Sequence, residues 1–243
     1  MEQPALLEMR NITKEFPGVK ALDGVSLTVR PGTVHALMGE NGAGKSTIMQ
    51  TICGINRPSK GSIEFMGKSI GGLKPSKIAA AGLTMSPEGS HCFEKMTVQD
   101  NLLMGAYLCK SNKERLERLD KIYKLFPVLE EKKNQLSTFL SGGQRQMLAI
   151  GRGIMMEPKL LLCDEISLGL APVVIKDIYA KLREIADTGV TLMIVEQDVN
   201  RSLKHSDYAY VILEGRVVME GKSSELDPEE VNDAYFGINK FAH

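Results

Sequence analysis

Short apolar runs alternate along the chain with segments in which apolar residues recur every three or four positions. The almost wholly apolar runs are residues 83–85, 160–163 and 190–195. Runs of this kind are typical of strands that are covered on both faces of a parallel sheet. Helical spacing marks residues 46–54, 144–156 and 173–186. The alternation of helices with buried strands predicts an α/β fold with a mainly parallel sheet.

The first third of the chain also carries signals for antiparallel strands. Two β-rich runs, 25–29 and 34–38, flank Arg30-Pro31-Gly32-Thr33, and the Pro-Gly turn between them predicts a hairpin or tight strand pair. A further short strand is expected at 62–65. Near the other end, the strands expected at 208–213 and 216–220 flank Glu214-Gly215 and predict a second hairpin, before a closing helix at 228–236.

A charged helical stretch separates the two parts of this core. Apolar residues from 98 to 126 have helical spacing, and the strongly charged segment 110–121 between them is expected to be a solvated helical face. We therefore predict one domain over residues 1–243, with a core formed by approximately 1–87 and 157–243. Residues 88–156, approximately, would form a small helical lobe.

Composition narrows the classes of function. The chain has 243 residues, with 30 Lys and Arg against 30 Asp and Glu, so its net charge suggests no general attraction to nucleic acid or to anionic lipid. Its four cysteines form no C-x-x-C pair, and reduced, mostly buried thiols are expected. We expect no signal peptide, and no apolar run approaches the roughly 20 residues of a membrane span. Any work at a membrane would therefore be done through a partner.

A glycine-rich loop follows the run at 34–38 and precedes the first predicted helix. It reads Gly39-Glu40-Asn41-Gly42-Ala43-Gly44-Lys45-Ser46, which satisfies the G-x-x-x-x-G-K-[ST] pattern of a phosphate-binding loop. Its glycines allow backbone N–H groups to surround phosphate oxygens at a helix N-terminus. Lys45 should reach the β- and γ-phosphates of ATP, Ser46 should bind Mg²⁺, and Thr47 can add a hydroxyl contact.

Two carboxylates end the buried run at 160–163. Asp164 and Glu165 follow it directly, at the edge of the sheet where open α/β folds place ligands. Asp164 can hold Mg²⁺, and Glu165 can act as the general base towards an attacking water.

A third motif suggests a second anion site. Leu140-Ser141-Gly142-Gly143-Gln144 stands at a predicted helix start, where Ser141 can cap the helix and the backbone of Gly142 and Gly143 can approach an anion. The chain already has one phosphate loop. The surplus indicates that Ser141, Gly142 and Gly143 serve a nucleotide held by another subunit.

The order and spacing of these three motifs resemble an ABC transporter ATPase subunit over essentially the whole chain. The resemblance implies a P-loop NTPase core and a head-to-tail dimer, with each ATP between one phosphate loop and the partner's signature. It also implies that Phe16, in Phe16-Pro17-Gly18-Val19-Lys20, stacks on adenine.

The chain departs from the general family pattern at three positions. Glu88 stands where the family usually has the coupling-loop glutamine, Gln197 where it has the switch histidine, and Ala171 where it has an aspartate. Gln197 can donate one hydrogen bond to a γ-phosphate, as neutral histidine can. The carboxylate of Glu88 can accept a bond from water on Mg²⁺, or it can instead transmit motion to a membrane subunit.

The departures also indicate a subfamily. Ser167-Leu168-Gly169-Leu170-Ala171-Pro172 and Ala234-Tyr235-Phe236-Gly237 resemble ATPase subunits of branched-chain amino acid importers, whereas the first third is similar to sugar-importer ATPases. The resemblance implies a peripheral protein on the cytoplasmic face of the cell membrane. Its partners would be a second ATPase subunit, identical or related, the transmembrane permease subunits and, indirectly, a solute-binding protein.

Three alternatives to an amino acid importer remain open. They are an importer for a sugar or another small solute, a non-transport ABC protein acting in DNA repair or translation, and an inactive nucleotide-binding partner of an active homologue. The balanced charge and the single ATPase domain disfavour the second, and the intact Lys45, Asp164, Glu165 and Ser141 disfavour the third.

Overall fold

The computed structural model describes residues 4–238, which form two sheets and the helices that cover them. The strands are β1 (Leu7–Phe16), β2 (Val19–Val29), β3 (Val34–Met38), β4 (Lys60–Phe65), β5 (Lys68–Ser69), β6 (Leu83–Ser86), β7 (Leu160–Asp164), β8 (Thr191–Glu196), β9 (Tyr208–Leu213) and β10 (Arg216–Lys222). The helices are α1 (Lys45–Ile52), α2 (Pro75–Ala80), α3 (Val98–Met104), α4 (Asn112–Leu125), α5 (Pro127–Glu131), α6 (Gly142–Ile154), α7 (Pro172–Asp187), α8 (Val199–His205) and α9 (Pro228–Phe236). A 3-10 turn at Ser137–Phe139 precedes α6.

The larger sheet is the parallel core that the sequence predicts. Its order is β10-β9-β3-β8-β7-β6, and its pairs are parallel except for the antiparallel β9–β10 hairpin. The strands β3 and β7 are buried along their whole length, as expected for strands with helices on both faces. The predicted α/β class and the C-terminal hairpin are confirmed.

The smaller sheet has four antiparallel strands in the order β2-β1-β4-β5. It confirms an antiparallel N-terminal portion, but the predicted pairing of residues 25–29 with 34–38 is wrong. β2 pairs with β1, whereas β3 lies between β8 and β9 in the other sheet. The Pro31-Gly32 turn is therefore a crossover between sheets, where the Gly32 N–H donates to Thr191 Oγ1 at 2.9 Å. A turn signal specifies a change of direction and leaves the partner strand undetermined.

Helix α1 is enclosed between the two sheets, and the remaining long helices pack on the opposite face. Ile48, Met49 and Ile52 of α1 are fully buried in one core cluster together with β1 and β2. A second cluster joins α3, α4, α6 and α7 to the other face of the parallel strands. The parallel strands are thereby covered on both faces.

The helical stretch expected at 98–126 is two helices. α3 stops at Gly105, where a Cβ atom would lie 2.1 Å from the carbonyl oxygen of Arg152 in α6. α4 starts afresh behind Ser111, whose side chain accepts from the Glu114 N–H. The absence of a side chain at Gly105 therefore allows the end of α3 to pack directly on the backbone of α6. The boundaries of a helical lobe near 88 and 156 stay a prediction.

The four cysteines lie in buried or half-buried positions. Cys53, Cys109 and Cys163 are buried, Cys92 is half-buried, and all four are free thiols. Burial raises the pKa of Cys163 to about 12.

Within residues 4–238, no helix has both the length and the apolar character required to cross a membrane.

His35 gives the core a measurable dependence on pH. It is buried in β3, its Nε2 accepts from the Arg30 N–H at 3.1 Å, and burial lowers its pKa to about 4. In the unfolded chain His35 would titrate near pH 6.5, so its neutral form stabilises the fold above that pH, and the contribution is lost as pH falls towards 4. We expect a loss of about 2 kcal/mol at pH 5 relative to pH 8.

The measurement for His35 is urea unfolding of the wild type and His35→Gln between pH 8 and pH 4.5. Other titrating groups act in both proteins, so the difference between the two curves isolates His35. Parallel curves over this range would contradict the assignment.

Candidate active site

The glycine loop connects the end of β3 to α1 along a tightly fixed path. Gly44 precedes α1 with a φ of 111°, a left-handed conformation that favours glycine. A Cβ atom on Gly39 would lie 2.3 Å from the carbonyl oxygen of Ile212 in β9. The Gly215 N–H, in the β9–β10 turn, donates to the Ala43 carbonyl at 2.8 Å. The loop is thus held by its own glycines and by the neighbouring hairpin.

Lys45 is folded back into this loop. Its side chain is 4% exposed, and Nζ donates to the carbonyl oxygens of Gly39 at 2.7 Å and Glu40 at 3.0 Å. The carboxylate of Glu165 lies 3.9 Å away. Burial lowers the pKa of Lys45, and the nearby carboxylates oppose that shift. The ammonium group therefore donates to two backbone carbonyls of its own loop and also lies near the Glu165 carboxylate.

Asp164 lies buried at the end of β7. Burial, followed by the charges of Glu165 and Glu88, raises its pKa to about 6, while Lys45 and a hydrogen bond with Ser46 oppose the rise. Its Oδ1 atom is buried and has no hydrogen-bond partner. A buried carboxylate oxygen without a donor, beside a serine hydroxyl, fits the hard oxygen coordination that Mg²⁺ prefers.

Glu165 and Gln197 meet across the ends of β7 and β8. Gln197 Nε2 donates to Glu165 Oε2 at 2.9 Å and to Asn41 Oδ1 in the glycine loop at 3.1 Å. Glu165 has a φ of 44°, and its N–H donates to the Val195 carbonyl at 3.1 Å. A left-handed glutamate is unusual, and such residues cluster at functional sites.

Lys45, Glu165 and Gln197 border a cleft of about 590 Å³ at the carboxyl end of the parallel strands, whereas Asp164 does not line it. It is lined by predicted site residues from separate parts of the chain: Asn41, Gly42, Gly44, Lys45, Ser46, Thr47, Glu88, Glu165 and Gln197. Gly39, Glu40 and Ala43 belong to the same loop without lining the cleft.

Sequence reasoning missed one wall of this cleft. Val19, Lys20 and Ala21 of β2 line it together with Glu214 and Gly215 of the β9–β10 turn. The Glu214-Gly215 turn signal was visible in the sequence, but nothing local showed that the hairpin would lie beside the phosphate loop.

Phe16 and the signature lie outside the cleft walls. Phe16 ends β1, is 40% exposed, and has Lys14 Nζ 4.7 Å from its ring centroid. Ser141 caps α6 by accepting from the Gln144 N–H, while its own N–H donates to the Gln144 side chain. Ser141 and Gly142 are exposed, whereas Gly143 is buried, and a Cβ atom there would lie 2.3 Å from Val174. The single chain therefore does not bring the signature to its own phosphate loop.

Comparison with known proteins places these features in one family. The family model described as ABC transporter matches residues 22–167. The chain is 40% identical to the high-affinity branched-chain amino acid transport ATP-binding protein BraG of Pseudomonas aeruginosa, covering 96% of this chain and 100% of that protein. It is 35% identical to the galactose/methyl galactoside import ATP-binding protein MglA of Clostridium perfringens, covering 91% of this chain but 44% of that protein.

A solved structure shows the same architecture. The ADP conformation of MJ1267, an ATP-binding cassette of an ABC transporter, superposes with a TM-score of 0.85 at 30% identity and covers 96% of each chain.

Proposed function

Because the chain belongs to the ABC transporter ATP-binding family, whose members hydrolyse ATP to power transport, we propose that its cleft binds ATP with Lys45 and hydrolyses it with Glu165 as general base. One observation carries this proposal. Asn41, Gln197 and Glu165 form a hydrogen-bonded chain along the cleft that also contains Lys45. The glycine loop, Glu165 and Gln197 come from three distant segments, and we assign them the roles of phosphate loop, base and switch residue.

The phosphates of ATP would lie over the loop from Gly39 to Thr47, at the N-terminus of α1, where N–H groups and the helix dipole favour anions. Lys45 Nζ would exchange its carbonyl acceptors for β- and γ-phosphate oxygens, which carry more charge. Phe16 at the end of β1 is exposed enough to stack on the adenine ring.

Ser46 and Asp164 would hold Mg²⁺. The unpartnered Oδ1 of Asp164 supports this role, since a cation or its bound water would satisfy it. When bound, Mg²⁺ neutralises charge on the phosphate oxygens. Glu88 lines the cleft, so it could accept a bond from water on the metal, and its exposure leaves it equally able to contact a membrane subunit.

Gln197 has two N–H bonds, and both are used, one on Glu165 and one on Asn41. To donate to a γ-phosphate it must release one of these acceptors. Release of Asn41 would keep Glu165 oriented towards the attacking water, and we infer that this exchange accompanies ATP binding.

We propose that Ser141, Gly142 and Gly143 complete the site of a second ATPase subunit, identical or related. All three lie at the start of α6, away from the chain's own cleft, and Ser141 and Gly142 are exposed, which supports this arrangement. If two subunits form each site, the ATPase rate per subunit should fall when the protein is diluted below its dimer dissociation constant.

The test is phosphate release by the isolated chain from micromolar to nanomolar concentration, with light scattering to follow the dimer. A rate per subunit that stays constant while the dimer dissociates would contradict the composite site. No phosphate release at any concentration, with the dimer present, would contradict ATP hydrolysis by this chain alone.

For the transported solute we propose a branched-chain or related amino acid. BraG matches the chain over its full length, whereas the sugar-importer relative is matched over less than half of its own length. The chain would act on the inner face of the cell membrane, bound to permease subunits and indirectly served by a solute-binding protein. A sugar or other small solute is the second candidate, favoured by the 35% identity to MglA.

Affinity purification of the tagged chain with its permease, followed by ATPase assays in liposomes containing the solute-binding protein, would separate these candidates. Stimulation by leucine, isoleucine or valine is expected. Stimulation by a sugar alone would overturn the amino acid assignment.

A further inference from the structure

A buried carboxylate that no step above uses lies directly beside the site. Glu196 is the last residue of β8, next to Gln197, and its side chain is 3% exposed. Burying a charged group is costly unless it is paired and hydrogen-bonded. The contacts of Glu196 therefore need an explanation.

Both oxygens of Glu196 accept strong hydrogen bonds. Tyr179 OH in α7 donates to Oε1 at 2.6 Å, and Ser167 Oγ donates to Oε2 at 2.7 Å. Ser167 has one proton, and Arg201 Nη1 donates to the same Oγ at 2.8 Å, so the direction of each bond is fixed. The chain of donors runs from Arg201 through Ser167 to the Oε2 atom of Glu196, which is the acceptor at its end.

A nearby arginine offsets negative charge at Glu196. Arg201 Nη1, in α8, lies 3.6 Å from Glu196 Oε2, and its Nη2 lies 3.1 Å from Asp198. Burial raises the pKa of Glu196, while the bonds from Tyr179 and Ser167 and the charge of Arg201 oppose the rise. One carboxylate thus joins the end of β8 to α7, α8 and the loop after β7.

Glu165 and Gln197, which have proposed roles in hydrolysis, are both connected to Glu196 through short stretches of the chain. Ser167 follows Glu165 by two positions, and Gln197 directly follows Glu196 in the chain. Glu165 has a left-handed backbone conformation. Its N–H donates to the carbonyl of Val195, the residue that precedes Glu196. Movement of Glu196 would therefore shift both Glu165 and Gln197.

We propose that Glu196 is a positioning residue for ATP hydrolysis, which clamps Ser167, Tyr179 and Arg201 so that Glu165 and Gln197 keep their hydrogen-bonded geometry. This inference rests on the proposed roles of Glu165 and Gln197. Glu196 itself touches no phosphate, and its effect on turnover passes through the two loops that it joins.

The experiment compares Glu196→Gln and Ser167→Ala with the wild type and with Glu184→Gln, the same chemical change on the exposed part of α7. For each we would measure kcat, KM, ATP affinity, thermal unfolding and hydrogen–deuterium exchange. Because small misplacement of reacting groups is costly, kcat should fall roughly 10- to 100-fold in both clamp variants, with ATP affinity unchanged within about twofold. Glu184→Gln should behave as the wild type.

Two further results distinguish positioning from general support of the fold. The double variant Glu196→Gln/Ser167→Ala should be no slower than the slower single variant, because both changes break one clamp. Exchange should accelerate in peptides covering 165–171 and 196–201 and stay unchanged in the sheets. Ser167→Ala is the milder change, and it keeps the test decisive if Glu196→Gln folds poorly.

The proposal is overturned by unchanged kcat in Ser167→Ala and Glu196→Gln, by losses that multiply in the double variant, or by exchange that rises throughout the chain. If the wild type and Glu184→Gln release no phosphate, the proposed ATPase function fails. In that case the clamp is tested by hydrogen–deuterium exchange of residues 165–171 and 196–201 alone. Faster exchange in the variants supports the clamp, and unchanged exchange overturns it.

Discussion

Glu165→Gln is expected to lower ATP turnover by roughly 10²- to 10⁴-fold, the range that a positioned general base contributes. The amide has the shape of the carboxylate but cannot accept the proton of the attacking water. Its oxygen can still accept from Gln197 Nε2, so the geometry of the cleft is retained. ATP should bind at least as tightly as in the wild type, because one negative charge near the phosphates is removed. Phosphate release and equilibrium ATP binding measure the two effects.

Glu184→Gln is the matched control for this change, because it exchanges the same groups at an exposed position of α7. It should leave turnover unaltered. Wild-type turnover in Glu165→Gln, with normal ATP binding and dimer formation, would eliminate Glu165 as the base.

Lys45→Met should weaken ATP binding by roughly 10- to 100-fold, because a charged hydrogen bond to phosphate is worth about 1.5–3 kcal/mol. Methionine fills a similar volume but carries no charge and no donor. The carbonyl oxygens of Gly39 and Glu40 lose their donor as well, so the nucleotide-free variant is expected to be somewhat less stable than the wild type. Binding would be measured by titration calorimetry, together with thermal unfolding of the nucleotide-free protein.

Lys113→Met provides the control, since Lys113 is 86% exposed on α4, where its Nζ lies 3.9 Å from Glu117. It removes the same charge from the protein without touching the cleft. Equal affinities of the Lys45 and Lys113 variants for ATP would show that Lys45 does not contact the phosphates.

The part of the fold that local patterns determine was predictable. The strand 34–38, the glycine loop and the following helix occupy the order that phosphate binding requires, and structure places β3 and α1 there. The closing helix at 228–236 is also found, because a proline starts it and Gly237, with a φ of 66°, ends it.

What local patterns leave open is the partner of each element. The Pro31-Gly32 turn predicts a hairpin, although its flanking strands enter different sheets. β1 was not predicted, since its Arg10, Lys14 and Glu15 interrupt any simple alternation of apolar residues. These strands are fixed by the pairing of residues distant in sequence, such as Leu7 with Phe65.

The candidate site likewise contains residues that local patterns predict and one that they do not. Motifs in the sequence predict roles for Lys45, Asp164 and Glu165, because the chemistry proposed for them requires fixed neighbours in the chain. Glu196 has no such motif: its meaning depends on Tyr179, Ser167 and Arg201, which come together only in three dimensions. The usable hint in the sequence was an acidic residue at the end of an otherwise apolar strand.

The β9–β10 turn has a practical consequence for protein engineering. Hairpin tips usually accept insertions, because few contacts depend on them. Here the Gly215 N–H holds the Ala43 carbonyl of the phosphate loop, and the Gly215 carbonyl accepts from the Asp23 N–H of the other sheet. A tag, fluorophore or peptide epitope inserted between Glu214 and Gly215 would therefore pull on the phosphate loop and on β2 together. The turn between β9 and β10 should therefore be avoided as a labelling site, although it is the tip of a hairpin.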